Sequence, residues 1–426
     1  MWPFCFSYKA YAPRRACIFR KSCLGLLLLA SCAVYTARAQ AFRFEGTRKK
    51  GAISFRYIRN LVIVPLYVNG KGPYNFILDT GVGPTIITDS AIAAGIDRKK
   101  LRPIKISGLG KGPELEALLS NEFSARLGRA GISYMPAAVL DEELLGLSNY
   151  VGMKISGLLG YYFFKSFTVR ISYSGRRIVF YERDPKKEPR GERVPLVLIN
   201  NKPYADIGLE LPGQGRMTAR VVVDNGASHA LSLETLSGKA FPVPAGTVAA
   251  NLGVGLSGPI SGSLGRTDIL QLGSFTFRDV VTAYPVYGDT AISTYLKDRN
   301  GNMGAEVLSR FNITFDYADS AMYLRRNETF KRPFEHDMSG MELYVTENFP
   351  TSVRYFVSRV EPGSPAALAG IQEGDELLSI NLNKTGSMNL DELNRYLRQG
   401  DGRSLLLTLN REGGLLVKTI KLKKRI

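Results

Sequence analysis

The sequence predicts a mostly β chain built as two related lobes, followed by a smaller α/β module, and three features carry that prediction. A segment from about Asn60 to Arg183 recurs in outline from about Val194 to Arg325, an internal repeat. Within each copy short apolar runs alternate with Gly, Asn and Asp, the pattern of strands and tight turns. Beyond Pro333 the repeat stops and a different pattern begins, with one stretch, Asn389 to Arg398, that reads as a helix opening on acidic residues.

The repeat is clearest at one turn. In the first copy Tyr74-Asn75-Phe76-Ile77-Leu78 runs into Asp79-Thr80-Gly81, and Thr85-Ile86-Ile87-Thr88 follows. In the second, Ala219-Arg220-Val221-Val222-Val223 runs into Asp224-Asn225-Gly226, and Ala230-Leu231-Ser232-Leu233 follows. Both read as strand, turn, strand. The two aspartates are 145 residues apart. Further on, Gly157-Leu158-Leu159-Gly160 and Gly301-Asn302-Met303-Gly304 lie 78 and 77 residues after their aspartates. Each is followed by period-two alternation, from Phe167 and from Phe311, as in a strand with one buried face. Asp184 to Gly191, charged and containing Pro and Gly, reads as the linker between copies, and Arg325 to Pro333 as the break after the second. A stretch around Glu114 to Leu147 reads as an insertion peculiar to the first lobe.

Composition excludes several classes of chemistry. All four cysteines, Cys5, Cys17, Cys23 and Cys32, fall in the first 39 residues, so the rest of the chain has neither a thiol nucleophile nor a disulfide. Beyond that point the only histidines are His229 and His336, each alone, which argues against a metal site built on clustered His and Cys. His229 reads as a loop histidine. The predicted cofactor and metal requirement is none.

The N-terminus carries Arg14, Arg15, Arg20 and Lys21, then an apolar run from Cys23 to Tyr35, then Ala37-Arg38-Ala39. This is the pattern of a secretory signal, and the run is too short for a membrane span, which needs about 20 apolar residues. Two processing readings stand: cleavage after Ala39, which uses the whole run, or lipidation of Cys32 in Leu29-Ala30-Ser31-Cys32, which would associate the chain with a membrane. Either way the expectation is export, to the periplasm, the outer membrane or the medium. Net charge is +18, with six basic residues and no acidic ones in the signal, leaving +12. The basic residues are scattered, so nucleic acid is not an expected partner.

A lone Asp-Thr-Gly is an ordinary turn. Two of them, each closing a strand and each followed by the same glycine motif, are placed by an approximate two-fold axis at one interface, with Asp79 facing Asp224. Two carboxylates held near each other share one proton, so one member can take a proton from water while the other polarises a carbonyl. These residues resemble the retropepsin and pepsin-like aspartic peptidases, in which each half contributes Asp-Thr/Ser-Gly and a later apolar-apolar-Gly motif. The resemblance covers about residues 55 to 325. It implies a pair of β-barrel lobes, catalytic Asp79 and Asp224, and loop support from Thr80, Gly81, Asn225 and Gly226. It also implies flaps, for which Ser107 to Gly112 and Gly253 to Gly258 are candidates.

Four residues depart from the family pattern. Asn225 stands where Thr or Ser is usual, Asn302 replaces an apolar residue, and Val82 and Ala227 bring no donor to the third position after each aspartate. From the last of these we expect a less stabilised anion and activity extending toward neutral pH.

In the C-terminal region, Glu361-Pro362-Gly363-Ser364-Pro365-Ala366-Ala367 and Gly374-Asp375-Glu376-Leu377-Leu378 fall in the order of a bacterial PDZ domain, which they resemble. The resemblance implies capture of an extended peptide by strand addition, with Gly340-Met341-Glu342-Leu343 as the carboxylate loop. The expected organisation is a signal at 1-39, lobes at 40-185 and 186-330, and a PDZ domain at 334-426. Expected partners are protein or peptide substrates and a PDZ peptide ligand. The function expected is endopeptidase, with a peptide-binding scaffold that does not cut as the alternative.

Overall fold

The computed structural model describes residues 40–106, 115–140, 146–255, 258–287, 296, 299–345, 353–398 and 400–426. The signal segment, Cys32 and the candidate flap at 107–112 lie outside these residues. Strands dominate, and they fall into the two copies that the sequence predicts.

In the first copy the strand Lys71–Leu78 runs parallel to Gly157–Leu159, which pairs antiparallel with Thr85–Ile87. The second copy repeats this, with Gly215–Val223 parallel to Gly301–Met303 and the latter antiparallel to Leu231–Leu233. The glycine motifs are therefore the strands that flank each aspartate strand. Their glycines permit close approach: a Cβ on Gly160 would lie 2.4 Å from the Val82 carbonyl oxygen, and one on Gly304 would lie 2.2 Å from that of His229.

Within the stretch from Glu114 to Leu147, residues 115–140 are not an insertion. They form a hairpin, Leu115–Leu127 with Ala130–Leu140, whose second strand runs parallel to Thr85–Ile87. Gly258–Leu272 and Phe275–Pro285 form the same hairpin in the second copy, parallel to Leu231–Leu233. The equivalence was hidden because a hairpin needs only alternation and a turn, and different residues supply those in each lobe.

Between the lobes, six strands make one shared sheet in the order Glu192–Pro195, Ala321–Arg326, Phe311–Asp316, Thr168–Ser172, Arg177–Tyr181 and Lys50–Ser54. Both lobes contribute to it, and Ile171 pairs with Ile313 across the join. Phe163, Phe164, Phe180, Phe311 and Phe315 are fully buried in the core these lobes share. This sheet joins the two lobes through continuous backbone pairing. The break after the second copy is also anchored, because Phe330 packs on Phe275, Phe277 and Phe311.

The C-terminal region has its own core, including Leu343, Val357, Leu377, Ile380, Leu393 and Leu407. Its sheet runs in the order Met341–Val345, Tyr355–Val360, Glu376–Ile380, Ser404–Arg411 and Gly414–Lys421. The expected helix spans Leu390–Arg398 and buries Leu390, Leu393 and Leu397 along one stripe. Asn389 caps it reciprocally: its side chain accepts from the Glu392 amide at 3.0 Å, and Glu392 accepts from the Asn389 amide at 2.9 Å.

Candidate active site

Asp79 and Asp224 directly follow the two parallel-paired strands. The Asp79 amide donates to the Leu159 carbonyl at 2.8 Å and the Asp224 amide to the Met303 carbonyl at 3.0 Å. Each turn then closes on itself, with the Gly81 amide donating to Asp79 Oδ1 at 2.6 Å and the Gly226 amide to Asp224 Oδ1 at 2.9 Å.

The two turns interlock. Thr80 Oγ1 donates to the Val223 carbonyl at 2.7 Å and accepts from the Asn225 amide at 3.0 Å. Asn225 returns both bonds: its Oδ1 accepts from the Thr80 amide at 2.8 Å and its Nδ2 donates to the Leu78 carbonyl at 2.9 Å. Both side chains are fully buried. Asn225 thus makes one accepted and one donated bond, as a hydroxyl would, with its two terminal atoms sharing the work.

The glycines set how close the carboxylates come. A Cβ on Gly226 would lie 2.1 Å from Asp79 Cγ, and one on Gly81 would lie 2.7 Å from Asp224 Oδ2. Each glycine therefore touches the opposite carboxylate. The Asp79 carboxyl is held well above the usual carboxylate range, first by burial and then by the Asp224 charge and a hydrogen bond to Asp224. The Gly81 amide and the Lys202 ammonium pull it the other way. A proton shared within the pair, and carried by Asp79, is the state these contacts favour.

The family model described as Aspartyl protease matches residues 64–163, and the one described as PDZ domain matches residues 356–411. The chain carries an aspartyl protease domain and a C-terminal PDZ domain. Among solved structures it is similar to the aspartic proteinase from Irpex lacteus, at 11% identity and a TM-score of 0.39, over 66% of this chain and 99% of that one. No curated protein matches.

The aspartyl protease domain has features that its sequence motifs did not announce. Asn302, read as a flaw in the second glycine motif, donates from Nδ2 to Asp224 Oδ2 at 2.7 Å. Its counterpart Leu158 offers nothing to Asp79. Asp224 therefore accepts from Gly226 and Asn302, whereas Asp79 accepts one backbone bond, from Gly81. The expectation of a less stabilised anion is corrected on one side: Asn302 supplies to Asp224 what Val82 and Ala227 do not. The reason is register. Asn302 pairs with Val222, two residues before Asp224, on the strand directly alongside.

Lys202 is a nearby cation, and burial followed by the Arg299 charge lowers its pKa while the Asp224 and Asp79 carboxylates oppose that shift. His229 sits beside Asn302, and burial pushes its imidazole below the ordinary value. Its Nε2 and the Asn302 Oδ1 are both buried without a hydrogen-bond partner among the described residues. Tyr317 lies close enough to the pair for both carboxylates to raise its hydroxyl further, beyond the larger effect of burial. Among the described residues no group of His, Cys, Asp and Glu is arranged to hold a metal ion.

The candidate flap at Gly253 to Gly258 lies at the tip of the hairpin Val248–Gly255 and Gly258–Leu272, with residues 256 and 257 outside the described set. In the PDZ domain, Met341, Glu342 and Leu343 belong to the outermost strand and Gly340 precedes it with φ of 73°. The Gly340 amide is bonded to Asp337 Oδ2 at 2.5 Å and the Met341 amide to Ser339 Oγ at 3.1 Å. Two of the four proposed carboxylate-loop amides are therefore engaged by the domain's own side chains.

Proposed function

We propose that this protein is an endopeptidase that hydrolyses extended segments of exported proteins with a water held between Asp79 and Asp224. The observation that carries the reading is the reciprocal bonding of Thr80 and Asn225, which locks the two aspartate turns together and holds their carboxylates side by side. In the resting pair Asp224 is the anion, supported by two donors, and Asp79 carries the proton.

Asp224 takes a proton from water as the oxygen attacks the scissile carbonyl carbon, and Asp79 donates its proton toward the carbonyl oxygen. A neutral tetrahedral diol results. On collapse the C–N bond breaks, the nitrogen takes the proton held by Asp224, and a diol hydroxyl returns its proton to Asp79 as the carbonyl re-forms. Atoms balance, and the pair ends with one proton, as it began. The PDZ domain is the peptide-receiving module, through strand addition on Met341–Val345.

Cleavage of unfolded casein by the purified chain, abolished by Asp79→Asn and separately by Asp224→Asn, tests this reading. Cleavage that survives either substitution removes the pair from the mechanism. An inert wild type at every pH leaves a peptide-binding scaffold. Action outside the cytoplasm rests on the N-terminal signal pattern, and mass spectrometry of the mature N-terminus distinguishes lipidated Cys32 from free Gln40.

A further inference from the structure

Each lobe has a two-residue hairpin turn at the same place. Arg59 and Asn60 join Arg56–Ile58 to Leu61–Val68, and Asn200 and Asn201 join Val197–Ile199 to Lys202–Leu211. The φ angles are 49° and 64° in the first turn and 49° and 65° in the second. Two left-handed residues in a row make a type I′ turn, which favours Asn and Gly. Asn200 fits that preference. Arg59 does not, because in a left-handed conformation its Cβ crowds the following carbonyl oxygen.

Both turns rest on the opposite lobe's catalytic loop. A Cβ on Gly83, four residues past Asp79, would meet the Asn201 Cβ at 3.6 Å. Asn60 Nδ2 donates to the carbonyl of Ser228, four residues past Asp224, at 3.0 Å. Ser228 is held a second time, by the Tyr150 hydroxyl at 2.8 Å. The lobes are alike to this point, and Arg59 breaks the symmetry.

The Arg59 guanidinium donates from Nη2 to the Leu343 carbonyl at 2.8 Å and lies 4.2 Å from the centre of the Tyr150 ring. Its backbone amide donates to Asp391 Oδ1 at 3.1 Å. Leu343 is in the outermost PDZ strand and Asp391 is in the first turn of the PDZ helix, so one residue bridges the strand and helix between which a peptide would lie. The preceding carbonyl, of Glu342, accepts from Ser358 on the neighbouring strand at 3.2 Å and faces into the sheet. The pairing with that strand shifts register between Glu342 and Leu343, and the Leu343 carbonyl, taken by Arg59, is the group an added strand would claim. The protease domain covers the same strand twice more: Asn251 Nδ2 donates to Glu342 Oε2 at 3.1 Å, and a Cβ on Gly152 would lie 3.1 Å from Val345 Cγ2.

We propose that Arg59 is a latch on the PDZ groove, and that a peptide pairing with Met341–Val345 expels it and so withdraws Asn60 from the Asp224 loop. PDZ occupancy and an ordered catalytic pair then oppose each other, and by linkage each weakens the other equally. The occupant is an extended peptide with a free C-terminus. Every cut made by an endopeptidase creates such an end, so the cleaved product slows the reaction that formed it. This inference rests on the reading of the chain as an endopeptidase with a peptide-receiving PDZ domain.

The test uses the full chain with Asp79→Asn, so that probes are not cut, with and without Arg59→Asn, the residue the second lobe uses at this turn. Both are panned against a display library of random peptides with free C-termini, and recovered peptides are titrated. They are expected to bind the Arg59→Asn chain at least tenfold tighter. Bound to the chain that keeps Arg59, they raise amide hydrogen exchange at residues 225–230 and leave 80–83 unchanged, while Arg59→Asn shows the raised exchange without peptide. Equal affinity for both chains, or unchanged exchange at 225–230, overturns the latch. Failure of both chains to enrich any peptide overturns the occupant. None of these readouts needs catalysis, so a failure here is separable from a failure of casein cleavage.

Discussion

Asn225 holds the opposing loop at both ends of one amide, accepting from the Thr80 N–H at 2.8 Å and donating to the Leu78 carbonyl at 2.9 Å. A residue that departs from the family's hydroxyl therefore closes the interface. Asn225→Ala leaves a buried amide and a buried carbonyl unpaired, each costing about 1–3 kcal/mol. It also frees the loops to shift, and a displacement of about 1 Å costs around 10²-fold in rate. Asn225→Thr, with one acceptor and one donor, is expected to retain cleavage. Urea denaturation and casein kinetics on the two variants check both statements, and an active, stable Asn225→Ala protein contradicts them.

Asn302→Leu copies the first lobe's Leu158 and removes one of two donors to Asp224. The sign follows from which state the donor supports: it stabilises the anion, so removing it makes the pair harder to ionise. The acidic limb of kcat/KM, where activity falls as the base is protonated, moves to higher pH. A hydrogen bond to a charged group is worth about 1.5–3 kcal/mol, which makes the move about one to two pH units. The values belong to the pair rather than to one residue. A pH–rate profile with an unmoved acidic limb rules out this role for Asn302.

Asp79 is costly to the fold. Its folded-state pKa is raised by burial and by Asp224. Below the unfolded value of about 3.9 the group is protonated in both states and contributes nothing. As pH rises above that, the unfolded chain releases the proton first, and stability declines until the folded pKa is passed. Asp79→Asn lacks this loss. Its melting temperature is expected to match wild type near pH 3.5 and to exceed it increasingly toward neutral pH. A constant difference across that range assigns the effect to packing instead.

The aspartates were legible because two copies at matched spacing say more than either alone, and the strands after Phe167 and Phe311 were legible from their alternation, although their joining into one sheet across the lobes was not. Asn302 was visible only as an irregularity, since its role depends on the strand Gly301–Met303 lying beside Val222, a pairing that no local pattern encodes. Residues 115–140 were misread because antiparallel hairpins tolerate unlike residues at equivalent positions. The Arg59 turn left no local signal. It becomes conspicuous only when set against Asn200 and Asn201 in the other lobe, where the same dihedrals carry residues suited to them.

Gly81 and Gly226 invite the common explanation that glycine supplies a left-handed turn, but neither is among the residues with positive φ. What requires glycine is the opposite carboxylate, 2.1 Å from a Cβ on Gly226 and 2.7 Å from one on Gly81. A methyl group at Gly226 would push against Asp79 itself, so Gly226→Ala is expected to abolish cleavage. Gly81→Ala meets the ends of the Asp224 side chain, which can give a little more, and is expected to leave a trace of activity. Gly95→Ala, where nothing lies within 4 Å, is the control and should be indistinguishable from wild type. Circular dichroism on all three separates a disturbed pair from a lost fold. Full activity in Gly226→Ala overturns the close approach of the two aspartate loops.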